Sequence, residues 1–255
     1  MTDKVQQTTP LHSPAAQGSR PIYFVAVILL IALAVLSWWA DNRLVEQARR
    51  EIGRELNAVL NTTSRALDQW FQNFDEVLRI WGSDDKTRDL SQALLELGQE
   101  YESLRSTPLQ GQISDHLRPV MALPGIRGYS IYTTDGTVLS SSRLSDLGRS
   151  LSNPELLELL NQALKSQSKP LISLPLKGQG KDFATMVGAF AVTDESGVPI
   201  ALFALRIDPE SQFTEILQRG RMGESGESYA FNSGGKMISE SRFGDDLKTL
   251  ALVPE

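Results

Sequence analysis

The chain has 255 residues, 41% of them hydrophobic and 22% charged, which is the make-up of a folded protein with room for one or two domains. Its formal net charge of −6 argues against a nucleic-acid partner, because phosphate binding draws on clustered Lys and Arg. It has no cysteine, which excludes disulfides, thiolate metal sites and Cys nucleophiles, and only two histidines, His12 and His116, so a His-based metal site would need carboxylate help.

Residues 1–20 are rich in Thr, Gln, Ser and Pro and are expected to form a disordered tail. Residues 22–40, "IYFVAVILLIALAVLSWWA", carry no charge. As a helix they are about 28 Å long, close to the ~30 Å hydrocarbon core of a bilayer. Tyr23 stands near one end and Trp38 and Trp39 at the other, where amphipathic rings prefer the interface. A core helix would carry a polar face, and a cleaved signal peptide would want small residues where the two tryptophans stand. The segment therefore reads as an uncleaved membrane anchor.

Lys4 and Arg20 precede this span, and Arg43, Arg49, Arg50 and Arg54 follow it. A bare count would keep the C-terminal side in the cytoplasm, but a long folded domain translocates largely regardless of nearby charge. The expected topology is a cytoplasmic N-terminus, a single inner-membrane span and an extracytoplasmic C-terminal domain.

From Asp41 to Trp81 there is no proline, and Ile52, Leu56, Val59, Leu67, Trp70, Phe74, Val77 and Trp81 recur at helical steps with a gap at Thr63. This predicts a helix about 60 Å long. Its apolar stripe must pack on a second copy of itself, giving a homodimer, or on the globular part behind it. "WGSDD" ends the run at residues 81–85. Thr87–Glu102 predicts a second amphipathic helix, and Ile113–Met121 a third.

From Gly125 the pattern changes. "GYSIYTTDGTVLSSS" alternates around Asp135-Gly136, a hairpin signal. In "SNPELLELLNQALKS" Ser152 or Asn153 can cap, and Pro154 suits the first helical turn. "KPLISLPLKG" reads as an edge strand flanked by prolines. "FATMVGAFAVTDESGVPIALFALRID" gives two continuously apolar, hence central, strands around a turn at Asp194 to Gly197. "PESQFTEILQRG" is a short helix, and "GRMGESGESYAFNSGGKMISESRF" opens a new hairpin, Ser228–Phe231 with Lys236–Ser239. The order predicts an α+β fold, an antiparallel sheet with helices on one side.

No catalytic constellation emerges, so no enzyme, cofactor or metal is expected. "KGQGKDF" lacks the glycine and hydroxyl of a phosphate loop, with Pro175 and Asp182 in their places. His116 beside Asp115 has no evident third partner. As lining for a small-molecule pocket the candidates are Tyr129, Tyr132, Ser142, Arg143, Phe183, Thr185, Met186 and Asp208, each of which could equally serve packing or, for Asp208, a helix cap.

The hairpin "GYSIYTTDGTVLSSS", the pair "VGAFAVTDESGVPIALFALRID" and the final "GRMGESGESYAFNSGGKMISESRF" resemble the double Cache, PAS-like sensor domains of bacterial membrane receptors over about Asp41 to Phe243. The resemblance implies a tail at 1–20, an anchor at 21–40, a long helix at 41–82, a membrane-distal sheet module at 83–219 and the beginning of a membrane-proximal module at 220–255. It implies a small-molecule sensor lacking its output domain, with the ligand held on the distal sheet. Asp208 matches the family's acidic position. The Tyr, Arg and Trp of its amino-acid-binding members have no counterpart in "LLELLNQALKSQSKPLISLPLKG", which puts free amino acids in doubt. The alternative is a membrane-anchored interaction or structural protein that works through its long helix without a metabolite.

Overall fold

The computed structural model describes residues 20–166, 169–176, 185–221, 226–232, 234, 235, 237–239, 241, 243 and 249. Helix α1 runs unbroken over Arg20–Gly82. It belongs to two units, Met1–Leu56 and Asn57–Glu255.

In the first unit α1 is apolar over residues 24–40 and exposed there, with Phe24, Leu30, Leu36 and Trp38 all open to the surroundings. It is the one helix among the described residues long and apolar enough to cross a membrane. The Arg43 guanidinium sits 5.0 Å over the Trp39 ring at the polar end of the apolar run, a cation–π contact. Arg50 and Glu46 pair at 3.0 Å one turn further on.

In the second unit the rest of α1 turns its stripe into the core. Trp70, Phe74 and Leu78, four residues apart, are all buried. Helix α2 (Asp85–Leu97) is capped by Asp84, whose carboxylate accepts from Thr87 N at 3.1 Å. The helix expected over 87–102 is two: α2 stops at Gly98, whose N–H bonds Leu95 O, and α3 (Tyr101–Ser106) starts afresh. Helix α4 covers Leu109–Met121, beginning a turn earlier than the leucine pattern indicates.

The sheet has five strands: β1 (Ile126–Thr133), β2 (Val138–Ser141), β3 (Leu171–Ile172), β4 (Met186–Thr193) and β5 (Pro199–Ile207). Their spatial order is β2-β1-β5-β4-β3 and every pair is antiparallel. The hairpins at Asp135-Gly136 and at Asp194 to Gly197 form as the sequence indicates, and the Pro-flanked β3 lies at the edge. Helix α5 (Pro154–Ser166) is capped by Asn153, whose side-chain oxygen accepts from Glu155 N at 2.9 Å and Leu156 N at 3.2 Å. Helix α6 covers Phe213–Arg219.

The close approaches of two glycines fix which sheet face meets α1. A Cβ on Gly188 of β4 would overlap Leu78, and a Cβ on Gly82 would overlap the Phe190 ring. The even-numbered β4 positions therefore face α1, together with their ladder partners Phe203 and Leu205 of β5 and Ile131 and Tyr129 of β1. This is the inner face. Helix α5 packs on β3, β4 and β5. Because α1 holds the even positions, α5 covers the odd ones, and Val187, Ala189 and Ala191 are buried beneath it. Helices thus flank both faces rather than one.

Of the final hairpin, Phe231 and Met237 form an antiparallel bridge and Ile238 N bonds Ala230 O at 2.9 Å. Lys236, in the second of its expected strands, lies outside the described residues.

Candidate functional site

Strand β5 reads "PIALFALRI", and Arg206 is its only charge. Its ladder partners are Gly128 on β1 and Val187 on β4. The guanidinium lies over Gly128: a Cβ there would overlap Arg206 Nη2 and Ser142 Oγ. Gly128 is thus needed for its lack of a side chain, and the long Arg206 side chain uses the space. Only 16% of that side chain is exposed.

The donors of Arg206 are unequally used. Nη2 donates to Ser142 Oγ at 2.6 Å. Nη1 stands 3.5 Å from Asp146 Oδ2, a long ion pair across to the short 3-10 turn Leu144–Asp146. Nε is buried and has no hydrogen-bond partner. A buried donor left unmade costs about 1–3 kcal/mol, so a polar group at that place would be welcome. Burial pushes the Arg206 pKa down from the ordinary arginine range, the nearby Arg143 charge adds to this, and Tyr132 and Asp146 oppose it. The guanidinium nonetheless stays charged at any physiological pH.

Around it several buried hydroxyl groups share the face with the apolar residues that α5 covers. Tyr132 is 6% exposed, and its hydroxyl hydrogen-bonds Ser130. Burial raises its pKa, the Ser130 bond and the Arg206 charge work against that rise, and the Asp146 carboxylate adds to it. Ser130 Oγ donates to Ser141 Oγ at 3.3 Å, and Ser141 Oγ accepts from Arg143 N at 3.1 Å. Ser142 Oγ also accepts from Tyr129 N at 3.2 Å. Ser130, Ala204 and Ala189 are ladder partners across three strands, and Gly128 stands two residues before Ser130 on β1, so the side chains beside Arg206 are short. The arrangement offers one anchored cation, several hydroxyls and a carboxylate beside short side chains. That set suits a small ligand held by charge and hydrogen bonds.

Of the residues singled out from sequence, Tyr132, Ser142 and Arg143 come together here. Tyr129, three positions from Tyr132, falls on the opposite face. It is buried, its hydroxyl meets Ser140 and Ser114, and burial raises its pKa. Met186 is fully buried on the inner face opposite Ile207. Thr185 makes a backbone bridge to Leu176, with N–O distances of 2.9 and 3.0 Å. Asp208 does not cap the following helix, which begins at Phe213 rather than Pro209; its carboxylate accepts from Glu210 N at 2.9 Å in the turn before that helix and pairs with Arg127 Nη2 at 2.7 Å. Phe183 lies outside the described residues. Arg206, Asp146, Ser130 and Ser141 were missed. Arg206 had a signal, since a lone charge in an apolar central strand must find partners.

A concavity of about 460 Å³ lies between α1 and α6, lined mainly by Ala58, Val59, Thr62, Ala66, Ile216 and Gly220. Its walls are largely apolar. A Cβ on Gly220 would overlap Thr63, so the helix end approaches α1 closely beside it.

No protein-family model matches the chain, and no curated protein matches it. Among solved structures it is similar to the ligand-binding domain of the Campylobacter jejuni chemoreceptor Tlp3 in complex with 4-methylisoleucine, at 15% identity and a TM-score of 0.49, over 76% of this chain and 71% of that one. It is similar to the sensor domain of the V. cholerae histidine kinase DctB at 14% identity and a TM-score of 0.43, over 64% of this chain and 57% of that one. The E. coli DcuS sensor domain is matched at 12% identity and a TM-score of 0.38, over 64% of this chain and 97% of that one.

Proposed function

We propose that this chain is the small-molecule-sensing part of a membrane receptor, with the ligand on the outer face of the sheet beside Arg206. The observation that carries the reading is the buried Arg206 guanidinium, held by Ser142 and Asp146 with Nε unused, on a strand otherwise apolar. A structural arginine would be expected to satisfy its donors within the fold. An arginine awaiting a ligand leaves one open.

In this reading residues 22–40 anchor the chain by a single span, the tail is cytoplasmic and the sheet lies outside the inner membrane. Residues 83–219 are a membrane-distal module and 220–255 begin a second. Two chains pair through the long helix. Leu44, Val45, Ile52 and Leu56 are exposed apolar residues on its outer part, and pairing would cover them. A ligand that prefers one of two arrangements of sheet and helix shifts their populations by its difference in affinity.

The test is a thermal melt of the full chain in lipid nanodiscs against a metabolite library. A ligand at 100 times its Kd stabilises by about 2.7 kcal/mol, or roughly 5–10 °C for a unit of this size. A shift with one chemical class, lost in Arg206→Gln, supports the reading. A silent library on well-folded chain overturns it. The other reading, an interaction protein without a metabolite, is favoured by the apolar concavity between α1 and α6, which would seat a partner's side chains. A reporter fused after Glu255 that is active only in the cytoplasm would sink the topology.

A further inference from the structure

Just past its apolar run, α1 has its charges sorted by face. A helix turns about 100° per residue, so Arg43, Arg50 and Arg54 fall within about 40° of one another. Trp39 lies one turn before Arg43 on the same side, and the Arg43 guanidinium stands 5.0 Å over its ring. The carboxylates Asp41, Glu51 and Glu55 fall in another sector, centred about 120° round the helix. Val45, Ile52 and Leu56 stand nearly opposite the arginines, so pairing of two chains over them leaves the arginine face turned outward. All of these residues are exposed.

Arg50 is paired with Glu46 at 3.0 Å. Arg43 and Arg54 have no carboxylate partner among the described residues; Arg54 Nε reaches only Arg50 O, at 3.4 Å. Arg43, Arg49, Arg50 and Arg54 are matched in number by Asp41, Glu46, Glu51 and Glu55, so the segment has no net charge. Attraction to a charged surface must therefore act through the sorting of the charges.

Where residues 22–40 cross a bilayer, Arg43 stands about 4.5 Å beyond the hydrocarbon edge. That is inside the headgroup layer, which is about 5–7 Å deep on each side. Arg50 stands about 15 Å out, roughly a screening length of 8–10 Å beyond the phosphates. A lean toward the arginine face lowers Arg50 and Arg54 to that layer and lifts the facing-away carboxylates from it. The guanidinium fork matches phosphate oxygens, and the Trp39 ring, itself suited to the interface, holds the Arg43 fork there.

We propose that this face of α1 docks on anionic phospholipid headgroups: Arg43, braced by Trp39, takes a lipid phosphate, and Arg50 and Arg54 draw the helix to lean that way as the surface charge rises. The inference rests on the membrane anchor proposed above. A zwitterionic headgroup is the weaker partner, because its own ammonium competes with the arginine for the phosphate.

The test uses the full chain in nanodiscs of mixed phosphatidylcholine and phosphatidylglycerol, with bromine on one lipid or on an equal amount of the other. Bromine quenches tryptophan at short range, so the ratio of the two signals reports which lipid lies beside Trp38 and Trp39. Phosphatidylglycerol is expected there at about fivefold its bulk share. The excess is expected to vanish in Arg43→Gln, to fall in Arg50→Gln, and to shrink in 1 M salt, where the screening length is about 3 Å. The chain has no cysteine, so Gln47→Cys on the arginine side and Ala48→Cys on the far side can each take a spin label. Adding phosphatidylglycerol is expected to sink the label at 47 toward the bilayer relative to the label at 48.

Equal quenching by both lipids overturns the proposal and leaves the anchor standing, since either lipid then reaches the tryptophans. A preference for phosphatidylglycerol that survives Arg43→Gln overturns the assignment to this face. Labels that do not move relative to each other overturn the lean. Quenching by neither lipid overturns the anchor and the proposal together.

Discussion

The contact of Leu78 on α1 with Gly188 on β4 sets how closely the long helix lies on the sheet, and it can be tested by size. Leu78 is fully buried. Truncation to Ala removes a buried side chain and leaves a cavity, at a cost of about 2–5 kcal/mol. Gly188→Ala does the opposite: the added Cβ would stand 3.3 Å from Leu78 Cγ and Cδ2 and closer still to Cδ1. With no exposed space for Leu78 to move into, this overpacking costs about 1–3 kcal/mol. For a unit of this size each 1 kcal/mol lowers the melting temperature by about 2–4 °C. In the double variant the new methyl sits where the leucine was removed. The two losses should therefore sum to more than the double variant loses, by at least about 1 kcal/mol. Urea unfolding of the full chain, followed by tryptophan fluorescence, measures all three variants. Additivity to within about 0.5 kcal/mol would mean that the two residues do not touch, and the assignment of the inner face would fall with it.

Other outcomes follow from the same contacts. Asn153→Ala removes the one side-chain oxygen that accepts both capping hydrogen bonds at the start of α5 and should cost about 1 kcal/mol, read as a lower urea midpoint with an unchanged slope. Gln110 ties α4 to β2, donating to Leu139 O at 2.9 Å and accepting from Ser140 Oγ at 2.7 Å; Gln110→Leu strands both and should cost about 1–3 kcal/mol in the same assay. Burial raises the Tyr129 and Tyr132 pKa values in the folded state, so the stability from burying the neutral phenols is complete below the unfolded value near 10 and is lost as pH rises through the folded values. Melting temperature should fall on the alkaline side, and less so in a variant with both tyrosines changed to Phe. Asp194 is the reverse case: its pKa is lowered, first by the Ser196 hydroxyl and then by turn amides, so its support of the β4–β5 turn is present above the unfolded value and lost as pH falls through the folded one. Amide exchange at Ser196 and Val198 should quicken on acidification, and Asp194→Asn should abolish that pH dependence.

Much of the fold was legible because local chemistry and pattern agreed. Pro154 marked the first turn of α5, with Ser152 or Asn153 open as its cap, and Asp135-Gly136 placed the first hairpin. Prolines around β3 put it at the edge, where its missing N–H groups do least harm. The split of the second helix was less visible, because Leu94, Leu95 and Leu97 continue the apolar pattern up to Gly98 and hide the stop. The site was half legible. Tyr129 and Tyr132 look alike in sequence, yet alternation along β1 sends one to α4 and the other to the arginine. Nor could any local rule pair Arg206 with Ser142 and Asp146, about 60 residues earlier, since the pairing is created by β5 entering the sheet beside β1. What the sequence did contain was the oddity of one charge in an apolar strand.

Gly148 closes the segment that carries Asp146, with φ +67, and a Cβ there would come within 2.8 Å of Gln99 O and 3.2 Å of Tyr101 N. The rim of the site thus rests, backbone on backbone, on the corner between α2 and α3. That seat separates two kinds of change. The side chains ahead of it, from Ser142 to Asp146, can be exchanged to change what the arginine meets, whereas Leu147 between them and the seat is buried in the core. A side chain at the seat itself would lift the whole rim and move Asp146 away from Arg206 without touching either. Change around Arg206 therefore has a broad route through five positions and a closed gate at Gly148.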